Sequence, residues 1–236
     1  MPDVTRPGIL PRAFAEVVGT FLLVLFAAGS VMVDERSGGL VTDLGEALSS
    51  GLIVMAMVYA IGRISGAHIN PAVTLGLLLT RRFPWRDAPA YWGAQVGGAV
   101  LAAGTLRAVL GDVASMGGHR PSGDVAPSLG LEVALTFSLL FVIMAVVANP
   151  ERIGKASGLV IGGTVFLGVL VGGPISGGSM NPARSFGPAL VGWTWTAHWV
   201  YWVAPLLGAT LGVAAYWSLG KGLARANRSP LFRTGD

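Results

Sequence analysis

The chain contains no cysteine, which removes disulfides, thiolate metal sites and thiol nucleophiles from consideration. Charge is scarce as well. Asp, Glu, Lys and Arg make up 12% of the residues against 53% hydrophobic ones, and the mean hydropathy is +0.65. So little charge argues against a soluble domain and for an integral membrane protein. The three histidines are well separated and give no convincing metal-ligand set. No nucleophile, base and orienting group cluster, and no cofactor motif appears, so an enzyme is the least favoured class. The net charge of +4 arises without a basic face repeating along a helix. It therefore reads as Lys and Arg beside a membrane, and nucleic acid is not an expected partner.

Long apolar runs dominate what is present. Full spans are expected at residues 13–33, 44–61, 88–106, 128–148, 157–172 and 198–219, each near the roughly 20 residues that a bilayer core of about 30 Å requires. The first run is too long for a signal-peptide core and is expected to remain as a helix. Two shorter runs, 70–80 and 181–191, reach only about 16 Å if helical and cannot cross alone. Arg6 and Arg12, then Arg63, Arg81, Arg82 and Arg86, then Arg152 and Lys155, then Lys221, Arg225, Arg228 and Arg233 all fall on one side of this topology. The positive-inside rule then places both termini in the cytoplasm of a multi-pass cell-membrane protein. Trp193, Trp195, Trp199, Tyr201 and Trp202 are expected as an outer aromatic belt, with Trp85 at the inner face. Gly93 and Gly97, with Gly98 beside them, are expected as a close-packing face.

Both short runs open in the same way, one on Asn70, Pro71 and Ala72 and the other on Asn181, Pro182 and Ala183. Asparagine caps a helix through its side-chain oxygen, and proline suits the next position because its missing N–H has no partner there. Each half of the chain holds three spans and one half-span, so the second half enters the bilayer from the opposite side and the repeat is inverted. Ala13–Glu16 with Gly19–Leu23 is echoed by Leu129–Glu132 with Leu135–Leu140. The expected organisation is one channel domain over 1–236, with repeats at about 11–110 and 127–220 and short tails at 1–10 and 221–236. The two half-helices should meet N-terminus to N-terminus near the midplane, each with an end equivalent to about +0.5 elementary charge. Asn70 and Asn181 would then present their amide N–H groups side by side on a pore wall, and cations and relayed protons would be excluded.

Two Asn-Pro-Ala copies in register, six spans and an inverted repeat resemble the aquaporin and aquaglyceroporin (major intrinsic protein) family over essentially the whole chain. The Ala-Glu-x-x-Gly-Thr-Phe around Glu16 is similar to that family's first helix. Residues 176–189 are most similar to the nodulin-like subgroup and its bacterial relatives. The resemblance implies an all-α fold of six transmembrane helices and two re-entrant half-helices, a homotetramer with one pore per subunit, and no cofactor. It also implies a selectivity filter at Arg184, Ser50, Val169 and Gly178. Water-selective members commonly carry an aromatic residue and histidine at the first two variable positions. Serine, valine and glycine here imply a wider ring, hence a passive channel for water and small uncharged solutes such as glycerol, urea, boric acid or arsenious acid. A water-selective channel and, further off, an ion-coupled secondary transporter are the alternatives.

Glu16 and Glu132 are buried acids, expected to accept hydrogen bonds from backbone N–H groups of the non-helical segment before the half-helix on their own side. Proton transfer is the competing role. His68 is a candidate for lining the inner end of the pore, whereas His119 and His198 are expected at the interface.

Overall fold

The structure, a computed structural model, describes residues 7–226, with side chains through Leu219. In chain order the helices are α1 (Ile9–Ser37), α2 (Thr42–Ile61), α3 (Pro71–Leu79), α4 (Ala88–Leu110), α5 (Val125–Ala148), the single turn α6 (Pro150–Ile153), α7 (Ser157–Ser176), α8 (Pro182–Gly192) and α9 (Val200–Ala226). Short 3-10 turns lie at Trp85–Asp87, Ala114–Gly117 and Gly154–Ala156, and no strand occurs among the described residues. Six of the helices are long and apolar enough to cross a membrane. The helices α3 and α8, with 9 and 11 residues, are not.

Several helices outrun the apolar segments that announce them. The first continues through Arg12 at one end and Asp34 to Arg36 at the other, giving 29 residues or about 43 Å. Helical hydrogen bonding does not stop where hydrocarbon does, so hydropathy marks the buried part of a span and not its ends. Arg6, Arg228 and Arg233 lie outside the described residues, as does most of each expected tail, and only the backbone of Lys221 and Arg225 is described.

Lipid tails are as apolar as the helix surfaces they cover, so helix pairing depends on how closely backbones approach. The main pairs are α1 with α4, α2 with α7, and α5 with α9. At the α2–α7 crossing, a Cβ on Gly51 would fall 2.7 Å from the Gly162 carbonyl oxygen, and one on Gly162 would fall 2.5 Å from that of Gly51. A Cβ on Gly212 of α9 would fall 2.5 Å from the Phe137 oxygen of α5. On α4 the packing glycine is Gly98, which abuts the Val17 carbonyl, whereas Gly93 and Gly97 face open space. The expectation that all three form one packing face within the chain is corrected accordingly. Gly93 and Gly97, one turn apart, share a face, and Gly98 lies about 100° around the helix from Gly97, so only Gly98 meets α1.

Two polar side chains near the span ends are buried, and for Tyr201 this corrects an expectation. Arg12 is 4% exposed: its guanidinium bonds Asp87 at 2.8 Å, its Nε donates to the Tyr91 hydroxyl at 3.1 Å, and it lies over the Phe83 and Tyr91 rings. It is a paired buried charge. Tyr201 is fully buried, and its hydroxyl donates to the Ser176 carbonyl at 2.7 Å, so it leaves the aromatic belt to Trp193, Trp195, Trp199 and Trp202.

Candidate functional site

The half-helices α3 and α8 touch at their N-termini. Asn70 Oδ1 accepts from Ala72 N at 2.8 Å, and Asn181 Oδ1 accepts from Ala183 N at 3.0 Å and Arg184 N at 3.2 Å. Both residues are therefore side-chain N-caps with proline at the first helical position. Each amide nitrogen then reaches into the other repeat. Asn70 Nδ2 donates to the Met180 carbonyl at 2.8 Å, and Asn181 Nδ2 donates to the Ile69 carbonyl at 2.9 Å. The sequence reading left both N–H bonds of each amide free, whereas one of each pair ties the repeats together. The second N–H of each remains for the cavity that both asparagines line.

Non-helical backbone at membrane depth needs partners inside the protein. Glu16 supplies four acceptor contacts: Oε1 takes Ser65 Oγ at 2.7 Å and His68 N at 2.9 Å, and Oε2 takes Ile69 N at 2.6 Å and Gln95 Nε2 at 2.8 Å. Glu132 matches it across the repeat, taking Ser176 Oγ, Ser179 N and Met180 N, each at 2.8 Å. Neither carboxylate borders the cavity, and all their named partners are donors. The main-chain segments that carry Ile69 and Met180 have positive φ values of 42° and 52°, a conformation costing about 1–3 kcal/mol per residue that persists only where surroundings enforce it. The two carboxylates are part of that enforcement.

A single continuous cavity of about 640 Å3 runs past these groups. At the mouth opposite the termini it is bordered by Asp43, Glu46 and Arg120. Toward the middle it passes Arg184, Asn181 and Asn70, and toward the face bearing the termini it passes His68, Leu77 and Val147. Ser50, Val169, Gly178 and Arg184 all line it, so the four residues counted out from the family spacing share one cavity. Arg184 is 7% exposed and its Nη1 donates to the Gly117 carbonyl at 2.8 Å. Ser50 is placed by its neighbour Gly51, which lets α2 close on α7. Gly178 has φ +65°, and a Cβ there would fall 2.9 Å from the Val169 Cα. A side chain at 178 would thus point into α7, and this glycine contributes main chain to the wall whatever the width of the pore.

Two contributors were not visible in the sequence. Gly117, in the segment joining the repeats, holds the arginine through its carbonyl. His119 lines the same cavity with its Nδ1 2.8 Å from Ser185 Oγ. Burial, followed by the charges of Arg184 and His198, lowers its pKa well below the ordinary histidine value and keeps it neutral. His198 is buried too, accepting from Trp202 Nε1 at 3.2 Å and packing on Trp195. No spacing rule linked a connecting segment to Arg184. The only signal was that residues 117–122 carry glycine, histidine, arginine and proline between two apolar spans.

Six spans surround a cavity that passes two opposed helix N-termini, and this fold and site define a membrane channel. A family model for the major intrinsic protein matches residues 3–216. Aquaporin NIP1-1 of Oryza sativa subsp. japonica is 49% identical over 208 residues, covering 88% of this chain and 73% of the relative. Aquaporin NIP2-1 of Zea mays is 41% identical over 216 residues, covering 92% and 73%. The solved aquaglyceroporin from Plasmodium falciparum shares the fold with a TM-score of 0.78, covering 89% of this chain and 96% of that one at 24% identity. The chain belongs to the major intrinsic protein family, as its motifs led one to expect. It is a multi-pass membrane protein, and a passive channel for water and small neutral solutes rather than an enzyme.

Proposed function

We propose that the channel conducts glycerol, urea and uncharged metalloid acids such as boric or arsenious acid alongside water, and rejects ions and protons. One observation carries the width of the filter: no Phe, Tyr or Trp lines the cavity among the described residues. Ser50 offers a hydroxyl, Val169 an apolar wall, Gly178 main chain, and Arg184 a permanently charged donor fork fixed by Gly117. A solute with a hydroxyl or amide edge and a carbon or metalloid body satisfies both sides of such a ring. A cation there meets the guanidinium, then two half-helix N-termini of about +0.5 elementary charge each. The remaining N–H groups of Asn70 and Asn181 engage the oxygen of a passing water and interrupt a proton relay. Glu16 and Glu132 act as scaffold, with their acceptor capacity directed at the re-entrant segments. His68 lines the inner end.

On this reading the termini and the exposed Arg63, Arg81, Arg82, Arg86 and Lys155 face the cytoplasm. The subunits assemble as a homotetramer, with the open glycine faces of α4 free to meet another subunit. Stopped-flow swelling of proteoliposomes tests the substrate range. Glycerol, urea and boric acid should each enter faster than in empty vesicles, and water flux with no uptake of any of them would refute the wide filter.

A further inference from the structure

The two ends of the pore carry the same three-part arrangement, built from residues that are only partly equivalent in the repeat. On the side of the termini, His68 Nδ1 lies 3.0 Å from Thr74 Oγ1, and its ring sits 4.8 Å from that of Tyr91, whose hydroxyl donates to the Ser65 carbonyl at 2.5 Å. On the opposite side, His119 Nδ1 lies 2.8 Å from Ser185 Oγ, and its ring sits 5.5 Å from that of Tyr201, whose hydroxyl donates to the Ser176 carbonyl at 2.7 Å. Thr74 and Ser185 occupy the same place on α3 and α8, each also bonding the carbonyl of its own capping asparagine, at 3.2 and 3.4 Å. Tyr91 and Tyr201 likewise correspond at the heads of α4 and α9.

The imidazoles do not correspond. The repeat partner of His68 is Ser179, whose short side chain bonds Ser185 at 2.5 Å and stops there. His119 arrives from the segment between the repeats and fills the place that a histidine at 179 would take. In doing so it fastens that segment to α8. Two residues earlier, the Gly117 carbonyl holds Arg184, and three residues later, Ser122 donates through both N and Oγ to the Ile175 carbonyl at 3.0 Å.

We propose that His119 is a positioning residue for selectivity: by clamping Ser185 it holds residues 117–119 against α8, and so fixes the carbonyl that aims the Arg184 guanidinium. This rests on the reading that the ring around Arg184 selects among solutes. An arginine has many rotamers and only this one side-chain hydrogen bond among the described residues, so a shift of Gly117 frees it to swing. Burial and the neighbouring charge of Arg184 keep His119 neutral, so its ring offers one donor nitrogen and one acceptor nitrogen.

Proteoliposomes carrying wild-type protein, His119→Ala, Ser185→Ala, the double variant and His119→Asn provide the test, with glycerol, water and potassium fluxes measured on each. His119→Ala and Ser185→Ala should each raise potassium leak roughly tenfold, the effect of losing one buried hydrogen bond. Each should also shift the glycerol-to-water ratio. The double variant should be no leakier than Ser185→Ala alone, because Ser185→Ala already removes the contact to His119 together with those to Ser179 and the Asn181 carbonyl. His119→Asn keeps a polar group where Nδ1 stood and should return both readouts to wild type. Wild-type selectivity in correctly folded His119→Ala, or additive effects in the double variant, would overturn the proposal. Should His119→Ala fail to fold, Ser185→Ala, which leaves the imidazole in place, carries the same expectation. If wild-type vesicles exclude glycerol, the wide-filter reading fails, and the potassium leak still decides the role of His119.

Discussion

Arg184 lines the cavity with its guanidinium held by the Gly117 carbonyl, so its contribution to ion rejection can be tested separately from that of the helix ends. Replacing it by valine should leave the fold intact and raise cation permeability, measured as dissipation of a potassium gradient. Unchanged exclusion would assign the barrier to the half-helix N-termini alone. Glu132 allows a sharper test, because glutamine has nearly its shape. Glu132→Gln turns one acceptor oxygen into a donor facing Ser176, Ser179 or Met180, and one hydrogen bond becomes a clash of donors. A loss of about 2–4 kcal/mol is expected, read as a fall in thermal midpoint in detergent. An equally stable variant with intact flux would show that the carboxylate's charge is dispensable.

His119 also sets a pH dependence. Its folded pKa is lowered, first by burial, then by Arg184 on α8 and by His198 before α9; Tyr201 faces it from α9. The unfolded chain therefore binds a proton near pH 6.5 that the folded protein refuses. The penalty is absent above that pH and grows as pH falls through it. Thermal stability should decline on acidification from about pH 7 to pH 5, and less steeply in His119→Asn. His198, lowered by burial in the same direction, accounts for a remaining slope. Parallel profiles in the two proteins would count against a neutral His119.

Among the elements, α2 and α7 are held together by main-chain contact at Gly51 and Gly162, which in turn sets Ser50 and Val169 along one wall. Gly162→Val should force the helices apart, costing several kcal/mol by overpacking and destroying solute discrimination. Gly163→Val, on the next residue with nothing within 4 Å, is the control and should fold normally in a detergent-stability assay. Hydropathy located every one of the six spans, because it reports which side chains hydrocarbon accepts. The helix ends were not legible, since Arg12 and the Asp34–Arg36 turn are helical while polar. Choosing Gly98 over Gly93 and Gly97 required knowing which face of α4 meets α1. A count of small residues does not contain that direction.

For the molecule as a whole, a passive channel should carry flux in proportion to the solute gradient. Glycerol uptake that is linear in concentration and indifferent to imposed sodium or proton gradients would bear this out. Saturation coupled to an ion gradient would require alternating states instead. The inverted arrangement is also why buried polar groups come in matched sets, Glu16 with Glu132 and Tyr91 with Tyr201, each satisfying its own re-entrant segment.

Taken by itself, the amino-acid sequence determined the membrane environment, the six spans, the two asparagine-capped half-helices and the inverted repeat. These follow from composition, from the length a bilayer demands and from the local chemistry of Asn-Pro-Ala. A register shared with a known family also named Ser50, Val169, Gly178 and Arg184, and all four line the cavity. Only the tertiary structure decided what each group faces. It spent one N–H of Asn70 on Met180 and one of Asn181 on Ile69, turned Gly178 toward α7, buried Arg12 and Tyr201, and brought Gly117 and His119 to the cavity wall beside Arg184. Those outcomes depend on contacts between residues far apart in the chain, and neither periodicity nor spacing records such contacts.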